Sequence, residues 1–191
     1  MIALFRRESK QDVWSFPLLF FVSNSALKNY HFTPMTGIGY DVHRFASDRP
    51  LVLGGVTIPH SHGLAGHSDA DVLCHAIADA VLGALGLPDI GHYFPPGDPS
   101  CKDISSLRIL EKCRDLAGQL GFTIVNVDST VVAEAPKVLP HREAMRGNIG
   151  TALGIPPERV GVKATTNETL GFIGRSEGIA AMAVAQVERP G

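Results

Sequence analysis

The sequence predicts an α+β fold, a mixed α/β layer in which helices pack on one face of a mixed β-sheet. Some segments alternate apolar and polar residues or are rich in β-branched residues, which is typical of strands. Other segments repeat apolar residues at helical spacing and end at a glycine, which is typical of amphipathic helices. The segments occur in the order strand, strand, helix, helix, strand, helix, strand, strand, without an internal repeat, and this order predicts the mixed layer.

The first half of the predicted domain contains strands followed by a helix. The first predicted strand is Gly37–Arg44. The second segment, Leu51–Leu53 and Val56–Ile58 on either side of a Gly-Gly turn, is predicted to be a strand or a hairpin. A loop rich in His, Gly and Ser follows and contains Ser68 and Asp71, which have the S-x-x-D spacing of a helix start. The helix is predicted to run to about Leu85, because apolar residues recur on one of its faces.

The second half contains two further helices and three strands. The predicted helices are Ile104–Leu120 and Arg142–Leu153, each followed by a glycine. The predicted strands are Phe122–Val132, Val160–Ala164 and Ile179–Val187. A long loop with four prolines, Gly86–Asp103, lies between the first two helices, and a loop of this length is usually functional or mobile.

The first 34 residues differ from the rest and are predicted to be an N-terminal extension to a domain at 35–191. Three interpretations remain open for this extension. Met35 precedes the first clear strand, so the segment could be a non-native extension from a misplaced start. Its early basic residues and the apolar run Val13–Val22 also fit a targeting segment. The third interpretation is a structural arm.

Composition excludes several classes of function. The formal net charge of −2 gives no basic surface for nucleic acid. The apolar run near the N-terminus is too short to span a bilayer, so no membrane partner is expected. The three cysteines form no C-x-x-C pair, which favours reduced thiols in a reducing compartment.

The residues Asp41 and His43 indicate a metal site on the first strand. Side chains two apart on a strand project from the same face, so this carboxylate and imidazole should lie together. His75, which interrupts the apolar start of the first helix, is the best third ligand. Two imidazoles and one carboxylate with an open position are typical of catalytic zinc. Asp71 and Asp79, one turn either side of His75, could orient its other ring nitrogen.

Phosphate contacts are predicted at two places. A helix N-terminus favours anions, which suits a phosphate near His67 and Ser68. The segment KATTNET ends a predicted strand, and there Thr165 and Thr166 can donate to phosphate oxygens. Glu168 in the same segment can hold an oxygen-loving cation such as Mg²⁺, although a generic turn would look similar.

Taken together, these segments resemble one family, 2-C-methyl-D-erythritol 2,4-cyclodiphosphate synthase of the non-mevalonate isoprenoid pathway. Five segments carry the resemblance, in the family's order: GIGYDVHRF, GHSDADVLCHAIADAVLGA, DIGHYFP, AEAPKVLPH and VKATTNETLGFIGRSEGIA. They cover nearly all of Gly37–Val187, and five motifs in order are highly specific.

The resemblance implies a lyase that cyclises 4-diphosphocytidyl-2-C-methyl-D-erythritol 2-phosphate to 2-C-methyl-D-erythritol 2,4-cyclodiphosphate and releases CMP. It implies Zn²⁺ or another divalent transition metal at Asp41, His43 and His75. It also implies Mg²⁺ or Mn²⁺ bridging the substrate phosphates, with Glu168 as a ligand. His67 and Thr166 match the positions that stabilise the transferring phosphate.

The resemblance further implies a homotrimer with active sites between subunits, in which an isoprenoid diphosphate occupies the central channel. The expected location is the cytoplasm of a bacterium, or the plastid of a eukaryote. Substrate contacts near the metal are expected from Asp41, Val42, His43, His67 and Ser68. The segment that holds the ribose and the erythritol end of the substrate corresponds to Asp89, Ile90 and Gly91. The lid, a flexible loop over the substrate, corresponds to Phe94, Pro95, Pro96, Gly97 and Asp98.

The remaining substrate-binding positions lie in the second half of the chain. The cytosine pocket matches Ala133, Glu134, Ala135, Pro136, Lys137, Val138 and Leu139. The phosphate-binding turn matches Ala164, Thr165, Thr166 and Asn167, and the late substrate contacts match Phe172 and Arg175.

Two other functions are compatible with the same residues. A metal-dependent phosphohydrolase would release a linear phosphate ester rather than a ring. A trimeric binding module for isoprenoid diphosphates would bind such a ligand tightly without releasing CMP.

Overall fold

The structure is a computed structural model, and it describes residues 34–190 of the protein. Within this range there are seven strands: β1 Met35–Ala46, β2 Leu51–Leu53, β3 Val56–Ile58, β4 Gly63–Leu64, β5 Thr123–Val132, β6 Val160–Thr165 and β7 Gly178–Glu188. The same range contains five helices: α1 Val72–Ala84, α2 Ile90–Tyr93, α3 Ser106–Gln119, α4 Arg142–Leu153 and α5 Gly171–Gly174.

A mixed five-stranded sheet has the order β4-β1-β7-β5-β6. β7 runs antiparallel to both of its neighbours, β1 and β5, whereas β5 and β6 are parallel. The strands β2 and β3 form a separate two-stranded sheet. The predicted α+β class with a mixed sheet is confirmed.

The long helices lie on one face of this sheet, as predicted. Helix α1 packs against β1 and β7, and α3 packs against both α1 and α4. On the opposite face, large apolar side chains of β1 and β7 are exposed: Ile38, Tyr40, Val42, Met182 and Val184. Ile38 is the most exposed of them, at 68%. We call this set the open apolar face.

Two glycines of β1 let the backbone of α1 approach the strand very closely. A Cβ atom on Gly39 would lie 2.0 Å from the carbonyl oxygen of Ala76, and one on Gly37 would lie 2.1 Å from that of Ala80. Any residue with a side chain would therefore hold the helix away from the strand. This close approach places the first turn of α1 beside the second half of β1.

The start of α1 differs from the prediction. Asp71, and not Ser68, is the N-cap, and its carboxylate accepts a hydrogen bond from the N–H of Cys74 at 3.1 Å. The same carboxylate accepts from the N–H of Gly55 at 2.7 Å, which ties the β2–β3 turn to the helix. Ser68 lies before the cap, and its hydroxyl accepts from the N–H of Ala70.

The long loop between α1 and α3 contains more structure than predicted. It includes α2, whose N-cap Asp89 accepts from the N–H of His92, and a 3-10 turn at Pro99–Cys101. Asp79 of α1 accepts from the N–H of Ile90 at 2.9 Å, which fixes α2 against α1. Four-residue helices and the two-residue strand β4 are too short for a hydrophobic period to reveal them.

The predicted N-terminal extension falls, apart from Pro34, outside the described residues. Within residues 34–190, no helix is long and apolar enough to cross a membrane. The three cysteines are buried.

Candidate functional site

Three side chains from β1 and α1 converge, as the sequence predicted. Asp41 Oδ2 lies 2.9 Å from His43 Nε2 and 3.0 Å from His75 Nδ1, and the two ring nitrogens are 3.1 Å apart. Asp41 and His43 project from the same face of β1, and the close packing of α1 brings His75 to them. Among the described residues this is the one group of three acidic, His or Cys side chains placed to hold a metal ion.

The donor set fits a divalent metal. His43 Nδ1 donates to the carbonyl oxygen of Ala65 at 2.6 Å, so in the neutral ring Nε2 presents a lone pair to the group. Lone pairs on two imidazoles and a carboxylate then meet at one point, an arrangement that a cation stabilises. In a tetrahedral zinc site with bonds of about 2.1 Å, the ligand atoms lie roughly 3.4 Å apart, close to the separations seen here.

Protons compete with a metal for this group. Burial alone would raise the pKa of Asp41, but hydrogen bonds and charge from His43 and His75 outweigh it and hold the pKa well below its usual range. Burial alone would lower the pKa of His43, but the hydrogen bond and charge of Asp41 outweigh it and raise the pKa. Without a metal, Asp41 therefore stays ionised and His43 retains its proton to a higher pH than usual.

The other ring nitrogen of His75 is held by two serines. His75 Nε2 lies 3.1 Å from Ser68 Oγ and 3.0 Å from Ser106 Oγ. The prediction that Asp71 and Asp79 orient this nitrogen is wrong, because both carboxylates accept backbone N–H groups instead. The sequence did carry a signal for Ser106, since it shares the apolar stripe of α3 and a buried hydroxyl needs a partner.

A cavity of about 210 Å³ opens beside the three candidate ligands. Its lining includes seven other residues predicted as catalytic or substrate-binding: His67, Ser68, Ile90, Gly91, Phe94, Pro95 and Pro96. The structure therefore brings the metal-binding half of the predicted site and part of the predicted lid together. This volume is below the roughly 300–1,000 Å³ that a typical small-molecule site needs.

The phosphate-binding turn forms a second cluster. Glu134 Oε1 accepts from the N–H groups of Asn167, at 3.0 Å, and Thr169, at 3.2 Å. Thr166 Oγ1 donates to Glu168 Oε1 at 2.8 Å, so the predicted catalytic hydroxyl and the predicted second-metal ligand are adjacent. Glu168 and Thr169 both adopt left-handed φ angles, 51° and 62°, in this tight turn. The predicted cytosine-pocket loop and phosphate turn thus contact each other through Glu134.

The two clusters do not meet within the described chain. Asp41 pairs with Ala181, Ala181 with Val131, and Val131 with Ala164, so one row crosses the sheet from the metal group to the phosphate turn. Three strand spacings of ~4.8 Å place these ends ~14 Å apart. Accordingly, the cavity lining includes none of the residues 133–139 or 164–175.

The remaining predicted contacts lie at the surface. Val42 belongs to the open apolar face and also borders a second cavity, of about 280 Å³, that it shares with His43 and Phe172. Arg175 donates to Glu177 at 2.6 Å, and Lys137 is exposed.

Burial raises the pKa of the Cys113 thiol to about 12 and that of Cys74 well above its usual value, so neither is a thiolate nucleophile.

Comparison with known proteins agrees with this geometry. The family model described as the YgbB family matches residues 35–188. The chain belongs to the YgbB family. It is 66% identical over 157 residues to 2-C-methyl-D-erythritol 2,4-cyclodiphosphate synthase of Akkermansia muciniphila, a match that covers 82% of this chain and 93% of that protein. The resemblance to the cyclodiphosphate synthases that the sequence motifs indicated is therefore confirmed.

Two solved structures extend this result. The chain is 35% identical to IspF of Plasmodium falciparum in its CDP complex, with a TM-score of 0.73, coverage of 83% of this chain and 97% of that chain. It is 43% identical to the bifunctional IspDF of Campylobacter jejuni, with a TM-score of 0.80 and coverage of 83% of this chain. It spans 43% of the length of that bifunctional protein. These two solved structures thus share the fold of this chain.

Proposed function

We propose that the protein cyclises 4-diphosphocytidyl-2-C-methyl-D-erythritol 2-phosphate to 2-C-methyl-D-erythritol 2,4-cyclodiphosphate, with release of CMP. The observation that carries this proposal is the convergence of Asp41, His43 and His75 beside an open cavity, in a chain of the YgbB family. The identity to curated synthases over more than nine-tenths of their length supports the same reaction.

The metal group prepares the site for a diphosphate. Zn²⁺, held by the three side chains, would act as a Lewis acid on a phosphate oxygen. His67 lines the same cavity and is exposed, so its ring can reach a phosphate bound there. The buried serines behind His75 keep its ring in place while the anionic substrate binds. The nucleophilic phosphate and the diphosphate belong to one molecule, so folding it correctly can supply roughly 7–11 kcal/mol.

The phosphate turn is proposed to hold the other end of the substrate. Thr166 would steady the charge that develops at the transferring phosphate, and Glu168 would hold Mg²⁺ or Mn²⁺. The adjacent loop, residues 133–139, would bind the cytosine, in keeping with the CDP complex of the Plasmodium falciparum relative. The lid, residues 94–98, would exclude water that could otherwise hydrolyse the diphosphate.

A complete site requires a second copy of the chain. Within one chain the two clusters lie ~14 Å apart, because three strand spacings separate them, and the cavity is too small for the whole substrate. We propose a homotrimer in which the metal group of one subunit faces the phosphate turn of its neighbour. The open apolar face supports association, because apolar side chains that are unburied in a single chain favour an interface. An isoprenoid diphosphate in the central channel and a cytoplasmic location remain part of this proposal.

The reaction is tested by its products. Purified protein with the proposed substrate and Mg²⁺ should release CMP, and the activity should disappear with a zinc chelator and return with added Zn²⁺. Phosphorus NMR should show two coupled phosphorus atoms in a ring. A linear ester would instead identify a phosphohydrolase, and tight binding of an isoprenoid diphosphate without CMP release would identify a binding module.

A further inference from the structure

The hydroxyl of Ser106 lies between a candidate metal ligand and a carboxylate. Ser106 is the first residue of α3 and is fully buried. Its Oγ lies 3.0 Å from His75 Nε2 and donates a hydrogen bond to Asp69 Oδ1. Its backbone N–H donates to the other oxygen of the same carboxylate, Asp69 Oδ2, at 3.0 Å. The carboxylate therefore accepts both hydrogens that Ser106 can donate.

The direction of these hydrogen bonds determines where the His75 proton lies. An ionised carboxylate is an acceptor only, so the single hydroxyl hydrogen of Ser106 is committed to Asp69. Ser106 Oγ can then offer only a lone pair to His75 Nε2, and that nitrogen must carry the hydrogen. In neutral imidazole the other nitrogen then has the free lone pair. That nitrogen, Nδ1, is the one that faces Asp41 and His43.

Ser68 does not determine which ring nitrogen of His75 carries the hydrogen. Its Oγ also lies 3.1 Å from His75 Nε2, and it accepts from the N–H of Ala70 at 3.1 Å. Among the described residues its hydroxyl donates to no carboxylate, so it can either donate to an imidazole nitrogen or accept from one. It fills space behind the ring without selecting a tautomer.

We propose that Asp69 and Ser106 are positioning residues that fix the tautomer and orientation of His75, so that Nδ1 is available to a divalent cation. This inference builds on the proposed metal site and names residues that do not touch the cation. Hydrogen-bonded partners of this kind typically contribute 10–100-fold to metal affinity.

Asp69→Asn tests the role of the carboxylate with little change in shape. Two backbone N–H groups donate to Asp69, that of Ser106 to Oδ2 and that of Asp71 to Oδ1. An amide has only one oxygen, so it cannot accept from both N–H groups and from the serine hydroxyl. The support that Ser106 gives to His75 should therefore weaken, and zinc affinity with it.

Two measurements follow this change. Competition with a chromophoric chelator should show zinc affinity ~10–100-fold weaker in Asp69→Asn and in Ser106→Ala. NMR of ¹⁵N-histidine-labelled, zinc-loaded protein should show a hydrogen on His75 Nε2 that exchanges slowly with water in the native chain and faster in Asp69→Asn and Ser106→Ala. Ser105→Ala is the matched control, since Ser105 is exposed and makes no capping bond at the same helix end.

The result separates positioning from helix capping. If Asp69 only caps α3, its variant should melt at a lower temperature while zinc affinity and the exchange of the His75 Nε2 hydrogen stay native, and the proposal is overturned. Native zinc affinity in Ser106→Ala would overturn it as well, so the test does not depend on Asp69→Asn folding. Zinc affinity and CMP release are measured separately, so a failure of the positioning proposal and a wrong reaction give different outcomes.

Discussion

Gly39→Ala should disturb both stability and the metal group, although Gly39 is neither a candidate metal ligand nor a predicted substrate contact. The added Cβ would lie 2.0 Å from the carbonyl oxygen of Ala76, whereas such contacts are essentially never shorter than 3.0 Å. Helix and strand must therefore separate locally by at least about 1 Å. Overpacking of this kind should lower the free energy of unfolding by roughly 1–3 kcal/mol.

The separation of helix and strand should also displace a candidate metal ligand. Ala76 directly follows His75, so a shift of about 1 Å moves Nδ1 away from Asp41 Oδ2, which it now approaches to 3.0 Å. A metal site tolerates deviations of ~0.2 Å in its ligand distances, so zinc affinity should fall. Urea unfolding of the metal-free protein gives the stability change, and chelator competition gives the affinity change.

Gly83→Ala is a matched control with the opposite expected sign. It lies on the same helix and faces β1, but its added Cβ would lie 3.7 Å from the nearest atom, the carbonyl oxygen of Ile38. Alanine in place of glycine within a helix stabilises by roughly 0.5–1 kcal/mol. Equal effects of the two substitutions, or a Gly39→Ala protein with native stability and zinc affinity, would refute the close-packing argument.

Three further outcomes are expected. His75→Ala should lose stoichiometric zinc, measured by atomic absorption, and most of its turnover; normal metal content would remove His75 from the ligand set. Thr166→Ala should slow CMP release while CDP affinity, measured by calorimetry, is kept, and unchanged kinetics would exclude Thr166 from the reaction. The pKa of His43 is raised by Asp41, so a proton opposes the metal below that pKa. Zinc affinity should therefore increase with pH and level off above it, and a flat profile in chelator titrations would contradict this reasoning.

The sequence predicted the helices and strands that are long enough to show a hydrophobic period. The i, i+2 spacing of Asp41 and His43 places them on one face of β1, and the structure has them there. His75 was identified because it interrupts an apolar helix. What brings it to the strand, the pair of glycines at 37 and 39, was not recognised, because close approach of two backbones is a property of packing and has no period.

Side-chain partners were harder to predict than element types. Asp71 and Asp79 share the stripe of His75 in the sequence, which suggested contact. An N-cap carboxylate turns back onto the helix N–H groups, however, and Asp79 turns toward α2. Ser106 lies 31 positions from His75 in the chain, and no local pattern connects residues that far apart. Its place on the apolar stripe of α3 showed only that its hydroxyl would need a partner.

The alternation along β1 also limits how this protein can evolve. Its even-numbered apolar side chains, from Ile38 to Val42, point away from the helices, while Asp41 and His43 point toward them. Deleting or inserting one codon within the strand would reverse every side chain beyond that point. A substitution in β1 leaves this alternation intact, whereas a change in the number of residues between Gly37 and the metal ligands does not.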